Sequence, residues 1–428
     1  MTRFSEKIQT LTRLFLPTAA ELTAIAEQFK QEMTAGLGGK GSLKMLRSYL
    51  SKPTGQEKGQ YITIDFGGTN IRLQLVELLG SGNTRIKVQR SFPLKEPAGF
   101  YDYTSSLANA EDLFDFIASQ LGELLEDNRP YLLGHTFSFP SEQLTANRAV
   151  LLSWTKEIKT AGMEGQEITS LLEAALIRKN LHQVKPTAII NDTTGTLLTA
   201  AYRYPQASIG SICGTGHNTC YLEPQEPSTG EPMIINLESG NFHGIPLTPY
   251  DIALDQASEK PGQQLLEKAV AGQYLGELAR LILLDLWDQP QLLPPYSLKT
   301  QDLATFLGDH SKQFTVISSW LQQNCPELKP SQDNCAALRM VAELVTTRSA
   351  KLVAATYAGV LKHMDPELNR QHFIAVDGSL FEKMPSYQEH IKQSLVDILG
   401  EKVARISLGL VKDGSGTGAA IAAASCGA

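Results

Sequence analysis

A unit of strand, glycine turn and strand occurs twice in the chain, and this repeat restricts the possible folds more than any other feature of the sequence. The first copy spans 61–78 and turns at Gly67 and Gly68. The second copy spans 209–223 and turns near Gly214. Strands joined by so short a connection form antiparallel hairpins, because parallel neighbours need a long crossover. The repeat therefore predicts a duplicated α/β architecture, in which one hairpin opens each half and a cleft separates the halves.

Hydrophobic periodicity supplies the other elements of this architecture. Apolar residues recur at helical spacing in the segments 19–34, 110–126, 165–180, 193–204, 263–287 and 336–364. Short apolar runs predict strands at 131–139, 188–190, 373–376 and 406–410. A helix of small residues begins at Gly416. The chain of 428 residues is long enough for two or three domains.

The balance of charge excludes some classes of partner. The chain has 38 Lys and Arg against 45 Asp and Glu, which gives a formal net charge of −7, and it has no cluster of basic residues. Nucleic acid is therefore not an expected partner, and any bound phosphate must be held by local groups. No run of 18 apolar residues is present, so no membrane span is expected. The five cysteines form no CxxC pair and 1–16 lacks the pattern of a secretory leader, which indicates a cytoplasmic protein with reduced thiols.

The first glycine turn, in the segment ITIDFGGTNIR, has the chemistry of a phosphate site. Gly67 and Gly68 allow backbone N–H groups to approach an anion closely. Asp65 precedes them and can order Mg²⁺ through water, because Mg²⁺ favours one carboxylate together with retained waters. Thr69 and Arg72 offer donors to phosphate oxygens. An ordinary hairpin turn explains the same residues equally well.

Two further turns offer similar groups. The segment ICGTGHNTCYLE repeats the strand–turn–strand pattern and presents Thr215. The segment DGSGTGAA places Gly414 and Ser415 at the start of a helix, where free N–H groups attract anions, although a plain helix start gives the same pattern. The first turn is neither a Walker A loop nor a GxGxxG dinucleotide fingerprint. Three such turns in one acidic chain together favour a phosphate ligand.

An Asn–Asp pair follows a short apolar strand in the segment AIINDTTGT. Catalytic residues in open α/β sheets are concentrated where strands end, and Asp192 at such a place can accept a proton from a hydroxyl. Asn191 or Asp192 can equally be the N-cap of the helix that follows. The residues alone leave both interpretations open.

A series of longer segments occurs in a fixed order along the chain, from about Leu43 to Ala424. They are KMLRSYLSKPTGQEKGQYITIDFGGTNIRL, LGHTFSFP, LLSWTKEIKTAGMEGQEI, INDTTGTLL, IGSICGTGHNTCYLE, INLESGNFHG, LLEKAVAGQYLGELAR, FIAVDGSLFEKMPSY and KDGSGTGAA. In this order the segments resemble those of the eukaryotic-type hexokinase family, a branch of the actin-like ATPase superfamily.

The resemblance implies a two-lobed, ribonuclease H-like α/β fold with a duplicated mixed-sheet core and a central cleft. It implies a small domain over 53–191, joined by a C-terminal helix of about 416–428, and a large domain formed by 1–52 and 192–415. The implied activity is transfer of the γ-phosphoryl group of Mg-ATP to the 6-hydroxyl of a hexose, with glucose the leading candidate, as the first step of glycolysis. The implied assembly is a monomer or a homodimer.

The resemblance also implies roles for individual residues. Asp192 is expected to be the catalytic base, and Lys156 to help neutralise the transferring phosphoryl group. The sugar is expected to contact Ser138, Thr155, Lys156, Asn191, Asp192, Asn218, Glu238 and Glu267. The nucleotide is expected to contact Asp65, Gly67, Gly68, Thr69, Asn70, Arg72, Thr215, Gly272, Gln273, Thr347, Gly414 and Ser415. Asp65 is also expected to hold Mg²⁺ through water.

The chain departs from the family pattern in three places. Ser239 replaces the tryptophan beside Glu238, which puts hexose selectivity in question. Arg47 and Ser48 stand where Pro–Thr is common near the hinge, and His135 stands where an aromatic residue is usual. A catalytically weak sugar-sensing protein of the same fold is therefore an alternative. Another actin-like ATPase, such as a heat-shock chaperone, is a further one.

Overall fold

Two mixed β-sheets and the helices packed on them form the framework of the protein. The computed structural model describes residues 3–154 and 158–427. Within these ranges the strands are β1 (Leu46–Arg47), β2 (Lys58–Phe66), β3 (Asn70–Gly80), β4 (Asn83–Pro93), β5 (Tyr131–Phe137), β6 (Ser141–Thr145), β7 (Arg148–Leu151), β8 (Val184–Ile190), β9 (Ala207–Cys213), β10 (His217–Glu223), β11 (Met233–Asn236), β12 (His372–Asp377) and β13 (Ile406–Leu410). The helices are α1 (Arg3–Phe15), α2 (Ala19–Leu37), α3 (Ala110–Gly122), α4 (Ile168–Arg178), α5 (Asp192–Arg203), α6 (Pro249–Gln256), α7 (Leu265–Val270), α8 (Gly272–Leu286), α9 (Thr300–Gly308), α10 (Thr315–Asn324), α11 (Gln332–Met364), α12 (Ser379–Lys383), α13 (Tyr387–Leu399) and α14 (Gly414–Gly427).

Five strands of each sheet share one order, with β1 added at the edge of the second sheet, and this confirms the predicted duplication. The first sheet runs β4-β3-β2-β5-β8, and the second sheet runs β1-β11-β10-β9-β12-β13. Each contains an antiparallel hairpin, β2–β3 or β9–β10. The first strand of each hairpin pairs in parallel with β5 or β12, and these strands pair in parallel with β8 or β13. Loops at the carboxyl ends of such parallel strands are where α/β proteins place their ligands, and the glycine turns and the Asn–Asp pair lie at these ends.

Helices α5 and α14 lie between the sheets and connect them. Helix α14 packs on strands of the first sheet, α5 packs on strands of the second sheet, and the two helices pack on each other. A Cβ atom on Gly418 would collide with the carbonyl oxygen of Gly195, and one on Gly134 would collide with that of Ala419. The small residues of α14 therefore allow backbone to contact backbone where the lobes meet. Ile190 and Ile421 are buried in the apolar cluster around this crossing.

The larger apolar core lies behind the second sheet. Helix α11 runs through it for 33 residues and is buried along most of its length. Helix α2 packs against α11; it begins at a capping box, in which the Thr18 hydroxyl accepts from the Glu21 N–H and the Glu21 carboxylate accepts from the Thr18 N–H. In the part of the chain that the structure describes, no helix combines the length and apolar character needed to cross a bilayer.

The helix predicted over 263–287 is two helices. The break falls at Ala271, whose backbone is extended, with a ψ of 145°. There the N–H of Gly272 donates to the carbonyl oxygen of Gly214, 2.9 Å away. A Cβ atom on Gly272 would lie 2.7 Å from that oxygen. This contact with the turn after β9 requires the interruption, although the apolar period continues through it.

Candidate active site

The Asn–Asp pair lies where β8 ends and α5 begins. Asn191 is the N-cap of α5: its side-chain oxygen accepts from the N–H of Thr193 at 2.9 Å and from its hydroxyl at 2.7 Å. Asp192 is the first residue of the helix, and its Oδ1 also accepts from the Thr193 N–H, at 2.8 Å. The N-terminus of a helix is a favourable place for a carboxylate. The sequence left open whether Asn191 or Asp192 caps the helix, and the structure shows that Asn191 does. The cap fixes the position of Asp192.

Three polar side chains form a hydrogen-bonded group at the carboxyl end of β11. Asn218 Nδ2 donates to Glu238 Oε1 at 3.0 Å and to Asn236 Oδ1 at 3.0 Å. Asn236 Nδ2 donates to the same Glu238 oxygen at 2.9 Å. Glu238 has a left-handed backbone, with a φ of +53°. The structure thus brings two of the predicted sugar-binding residues, Asn218 and Glu238, into direct contact.

Glu267 joins this group from the other side. It lies on the short helix α7, and its Oε1 accepts from the backbone N–H of His217, the residue before Asn218, at 3.1 Å. A Cβ atom on Gly240 would lie 3.0 Å from the Cβ of Glu267. The turn after Glu238 therefore packs directly on α7, and a glycine at 240 is needed for this approach.

A small cavity between the lobes is lined by part of these residues. Its lining includes Asn191, Asn236 and Glu238 as well as Phe137, Phe139 and Gln143. Ser138 lies between the two phenylalanines, and its N–H donates to the carbonyl oxygen of Phe66, 3.3 Å away. The cavity is therefore lined by three polar side chains that were predicted or found near the sugar site, together with two aromatic rings.

The first glycine turn lies beside the third one across the cleft. Gly67 donates its N–H to the carbonyl oxygen of Asn70 at 3.1 Å, which closes the turn between β2 and β3. Arg72 Nη1 lies 3.3 Å from Asp413 Oδ1 and 3.8 Å from Asp65 Oδ2. The guanidinium group therefore lies between a carboxylate of the first turn and one that precedes α14.

The second and third turns meet at Asp377, the last residue of β12. Its Oδ1 accepts from the N–H of Gly378 at 2.7 Å. Burial raises the pKa of Asp377, as do the like charges of Asp413 and Asp192, while hydrogen bonds from the amides of Gly378 and Gly414 act in the opposite direction. Asp377 thus accepts hydrogen bonds from two segments of main chain, at Gly378 after β12 and at Gly414 at the start of α14.

The glycine turns form a cradle that side chains would fill. Gly378 has a φ of +123°, and a Cβ atom on it would collide with the carbonyl oxygen of Cys213. A Cβ atom on Gly214 would lie 3.4 Å from Gly378 Cα. The site offers closely spaced backbone N–H groups and an arginine as donors, and the carboxylate of Asp65 as an acceptor. This set fits a nucleotide polyphosphate together with a divalent cation.

The remaining predicted contacts divide into three groups. Gln273 N–H donates to the carbonyl oxygen of Thr215 at 2.9 Å, so α8 begins on the second turn. Thr347 on α11 hydrogen-bonds through Oγ1 to His390 of α13, 3.2 Å away, and this contact does not involve the glycine turns. Thr155 and Lys156 lie outside the described residues.

The residues that depart from the family pattern have clear positions. Arg47 Nε lies 2.7 Å from the carboxylate of Glu226, and the Ser48 hydroxyl donates to the carbonyl oxygen of Ile234 at 2.7 Å. The hydroxyl of Ser239 and both ring nitrogens of His135 are buried without a hydrogen-bond partner in residues 3–154 and 158–427. The substitutions at 47 and 48 therefore gain polar contacts, whereas those at 239 and 135 bury polar atoms.

Comparison with known proteins decides the family. Hexokinase family models match residues 7–202 and 208–425. Hexokinase-7 of Oryza sativa subsp. japonica is 33% identical, and the alignment covers 95% of this chain and 94% of that protein. The hexokinase of Kluyveromyces lactis is 33% identical, over 98% of this chain and 91% of its own. The chain belongs to the hexokinase family.

Solved hexokinase structures confirm the predicted fold class. One hexokinase crystal structure matches with a TM-score of 0.89 at 33% identity, covering 99% of each chain. The hexokinase of Schistosoma mansoni, solved in complex with glucose, matches with a TM-score of 0.85 at 32% identity, covering 99% of this chain and 100% of the other. The predictions of a two-lobed α/β fold and of a hexokinase enzyme are confirmed. The alternative of a sugar sensor gains no specific support.

Two residues of the hexokinase site were missed at the level of sequence. Asn236 contacts Glu238 and Asn218, and Asp377 contacts the glycine turns, but neither was predicted to do so. Both are polar residues that end a buried strand. The strand-end rule that singled out Asp192 applies to Asp377, which ends a parallel strand, but not to Asn236, whose strand is antiparallel to both of its neighbours.

Proposed function

We propose that this hexokinase transfers the γ-phosphoryl group of ATP to the 6-hydroxyl of a hexose, with glucose as the first candidate, and that Asp192 is the general base. The observation that carries the proposal is the position of Asp192 at the N-terminus of α5, next to Asn191 in the cavity between the lobes. A carboxylate held at a helix N-terminus beside this cavity is placed to accept a proton from a substrate hydroxyl.

The reaction needs little covalent chemistry from the protein. As the oxygen of the 6-hydroxyl forms its bond to the γ-phosphorus, the bond from phosphorus to the bridging oxygen of ADP breaks, and the hydroxyl proton passes to the carboxylate of Asp192. Positioning and charge stabilisation then account for most of the rate enhancement. Lys156 is proposed to neutralise charge on the transferring group.

The sugar contacts follow from the chemistry of a hexose, which offers only hydroxyl groups and a ring oxygen. We assign them to the residues Ser138, Thr155, Lys156, Asn191, Asp192, Asn218, Glu238 and Glu267. The contacts among Asn218, Glu238 and Glu267 described above support this assignment. A buried site of this kind discriminates against ligands that lack a hydroxyl, because its polar groups would be left unpaired.

The nucleotide contacts are assigned to the three glycine turns and the groups beside them. They are Asp65, Gly67, Gly68, Thr69, Asn70, Arg72, Thr215, Gly272, Gln273, Thr347, Gly414 and Ser415, of which Thr347 has the least structural support. Asp65 would hold Mg²⁺ through water. When bound, Mg²⁺ supplies neutralisation of the phosphate charge.

The lobes are proposed to close on the sugar. We assign 53–191 with the C-terminal helix to the small domain, and 1–52 with 192–415 to the large domain. Closure excludes water from the reacting groups.

The five free cysteines support a reducing, cytoplasmic location, and a monomer or homodimer remains the predicted assembly.

Replacement of the base tests the proposal. Asp192→Asn removes the proton acceptor and keeps the size of the side chain, so we expect kcat to fall by about 10²–10⁴-fold. Glucose binding, measured by calorimetry, should persist. A coupled assay for glucose 6-phosphate measures the rate. Asp397→Asn, on the exposed side of α13, is the matched control. Turnover of Asp192→Asn close to that of the parent would refute the role of Asp192 as base.

A further inference from the structure

Asn236 is buried, with 6% of its surface exposed, and lies in the wall of the cavity between the lobes. It ends strand β11, where it is paired with Leu46 of β1 and Cys220 of β10. A residue held by two neighbouring strands has little freedom to move. We propose that Asn236 is a positioning residue of the hexose site, which holds the carboxylate of Glu238 and the amide of Asn218 in the orientation needed for sugar binding. The inference rests on the proposed function of this cleft.

The backbone of Glu238 cannot by itself hold the side chain in place. Its φ of +53° lies in the left-handed region, which a residue with a Cβ atom adopts only when its surroundings require it. The N–H of Glu238 points to Asn236 Oδ1 at 3.4 Å, and its Oε1 accepts from Asn236 Nδ2 at 2.9 Å. One side chain thus contacts both the main chain and the carboxylate of Glu238.

The neighbours also fix which way each amide points. Asn218 Oδ1 accepts from the backbone N–H groups of Thr219 at 2.7 Å and of Ser239 at 3.2 Å, so its Nδ2 must face Glu238 and Asn236. Asn236 then accepts from Asn218 and donates to Glu238. Reversal of the Asn236 amide would place two oxygens against each other. The order of donors therefore runs in one direction, from the main chain to Asn218, then through Asn236 to the carboxylate of Glu238.

This order predicts a specific consequence of changing Asn236 to an acid. In Asn236→Asp, two carboxylates face each other at the distance of a hydrogen bond, and their like charges repel. Near pH 8 we expect the KM for glucose to rise by about 10-fold or more. On acidification to about pH 5.5 one proton is shared by the pair, the donor is restored, and the KM should return toward that of the parent. Removal of the amide in Asn236→Ala should raise the KM at both pH values.

The experiment compares the full-length parent, Asn236→Asp and Asn236→Ala at both pH values. KM for glucose, KM for ATP and kcat are measured by the coupled assay, and the glucose Kd is measured by calorimetry without nucleotide. Other ionisable groups near the turn and the cavity are Glu267, His217, Cys220 and Arg47 with its partner Glu226, and Asp192 lies close to Cys220. All of them are identical in the three proteins. The difference from the parent at each pH therefore reports on the changed side chain. The KM for ATP should stay within about twofold, because the substitution is confined to the sugar side.

A matched control perturbs the same turn without touching the carboxylate. Asn241 Nδ2 donates to the main-chain oxygen of Glu238, 3.2 Å away. Asn241→Ala should change the KM for glucose by less than about twofold, because the side chain of Glu238 keeps both of its amide donors. If Asn236→Ala does not fold, Asn236→Leu replaces it, since leucine has a similar size and, like alanine, no hydrogen-bond donor.

The proposal is overturned if the KM of Asn236→Asp for glucose at pH 8 stays within twofold of the parent value. It is also overturned if acidification brings no recovery, because a merely structural loss would not respond to a shared proton. If the parent phosphorylates hexoses and the Asn236 variants have the same kinetics as the parent, only the positioning role is refuted. A parent that phosphorylates no hexose would instead refute the proposed function.

Discussion

His135 shows at the scale of a single residue what a departure from the family pattern costs. It lies on β5 in the first sheet, 1% exposed, with its ring 5.5 Å from that of Phe137. Within the described ranges neither ring nitrogen has a hydrogen-bond partner. Burial lowers the pKa of His135 from 6.5 to about 3. The imidazole is therefore neutral in the folded protein over the physiological range.

This gives a prediction for stability against pH. In the unfolded chain His135 titrates near 6.5, so between about pH 6.5 and pH 3 the unfolded state binds more protons than the folded state. The free energy of unfolding must then fall as the pH falls below 6.5, by up to about 1.4 kcal/mol per pH unit from this group. His135→Phe removes the contribution. Its gain in thermal midpoint over the parent should be larger near pH 5 than near pH 7.

The exposed residue His182 provides the control for this measurement. His182→Gln should leave the pH dependence of the midpoint unchanged, because this side chain is in contact with water in the folded as well as in the unfolded chain. His217 is also buried, and its pKa is lowered to about 4, but it is present in every variant. An equal effect of His135→Phe at both pH values would contradict the assignment to His135.

The junction between α7 and α8 makes a prediction at the scale of an element. In Gly272→Ala, the new methyl group would lie 2.7 Å from the carbonyl oxygen of Gly214, so the second glycine turn must shift. Backbone shifts of this kind cost about 1–3 kcal/mol. We expect lower stability and a KM for ATP raised about 10-fold, whereas the glucose Kd should change little.

Gly308 is the matched control for the junction. It ends α9, and a Cβ atom there would meet nothing within 4 Å. Gly308→Ala should be neutral or slightly stabilising, because alanine has less freedom in the unfolded chain. Steady-state kinetics and thermal melts distinguish the two variants. An unchanged KM for ATP in Gly272→Ala would show that this contact does not position the nucleotide site.

The same junction shows how much of the fold the sequence could predict. Sequence pattern found both hairpins and α11. The hairpins are pairs of apolar runs joined by a glycine turn, and α11 is a long apolar segment that is buried along most of its length. The pattern joined α7 to α8, since the period continues through Ala271 and the contact that breaks the helix lies 58 residues away in sequence, at Gly214. It also missed β4, most of whose residues are exposed or half-buried and form no apolar run. Local sequence pattern therefore predicts elements that bury a run of apolar residues. It fails where a contact with a segment distant in sequence determines where an element ends.

The site was predictable to a similar degree. The resemblance placed Asn218, Glu238 and Glu267 in one sugar site, and these residues are joined by hydrogen bonds or by adjacent main chain. Asn236 was missed, because its contacts with Asn218 and Glu238 depend on the register of antiparallel strands rather than on a motif. The catalytic and sugar-binding roles of these residues remain predictions.

At the scale of the whole molecule, the crossing of α5 and α14 determines how the lobes are joined. The helices touch through Gly195 and Gly418, where a Cβ atom on Gly418 would collide with the carbonyl oxygen of Gly195. Helix α14 packs mainly on the first sheet and α5 mainly on the second sheet, so the crossing is the most extensive contact between the two halves. A contact without side chains allows the helices to pack closely and to slide over a short distance.

Gly418→Ala tests whether the crossing governs closure of the lobes. The added methyl group must push α14 away from α5, and the lobes then cannot adopt the same spacing. In the parent we expect glucose to reduce the radius of gyration in small-angle scattering, because the lobes close on the sugar. In Gly418→Ala the reduction should be smaller and the KM for glucose higher. Ser425→Ala, at an exposed position of the same helix, should behave like the parent. If Gly418→Ala folds and closes like the parent, this crossing does not govern closure of the lobes.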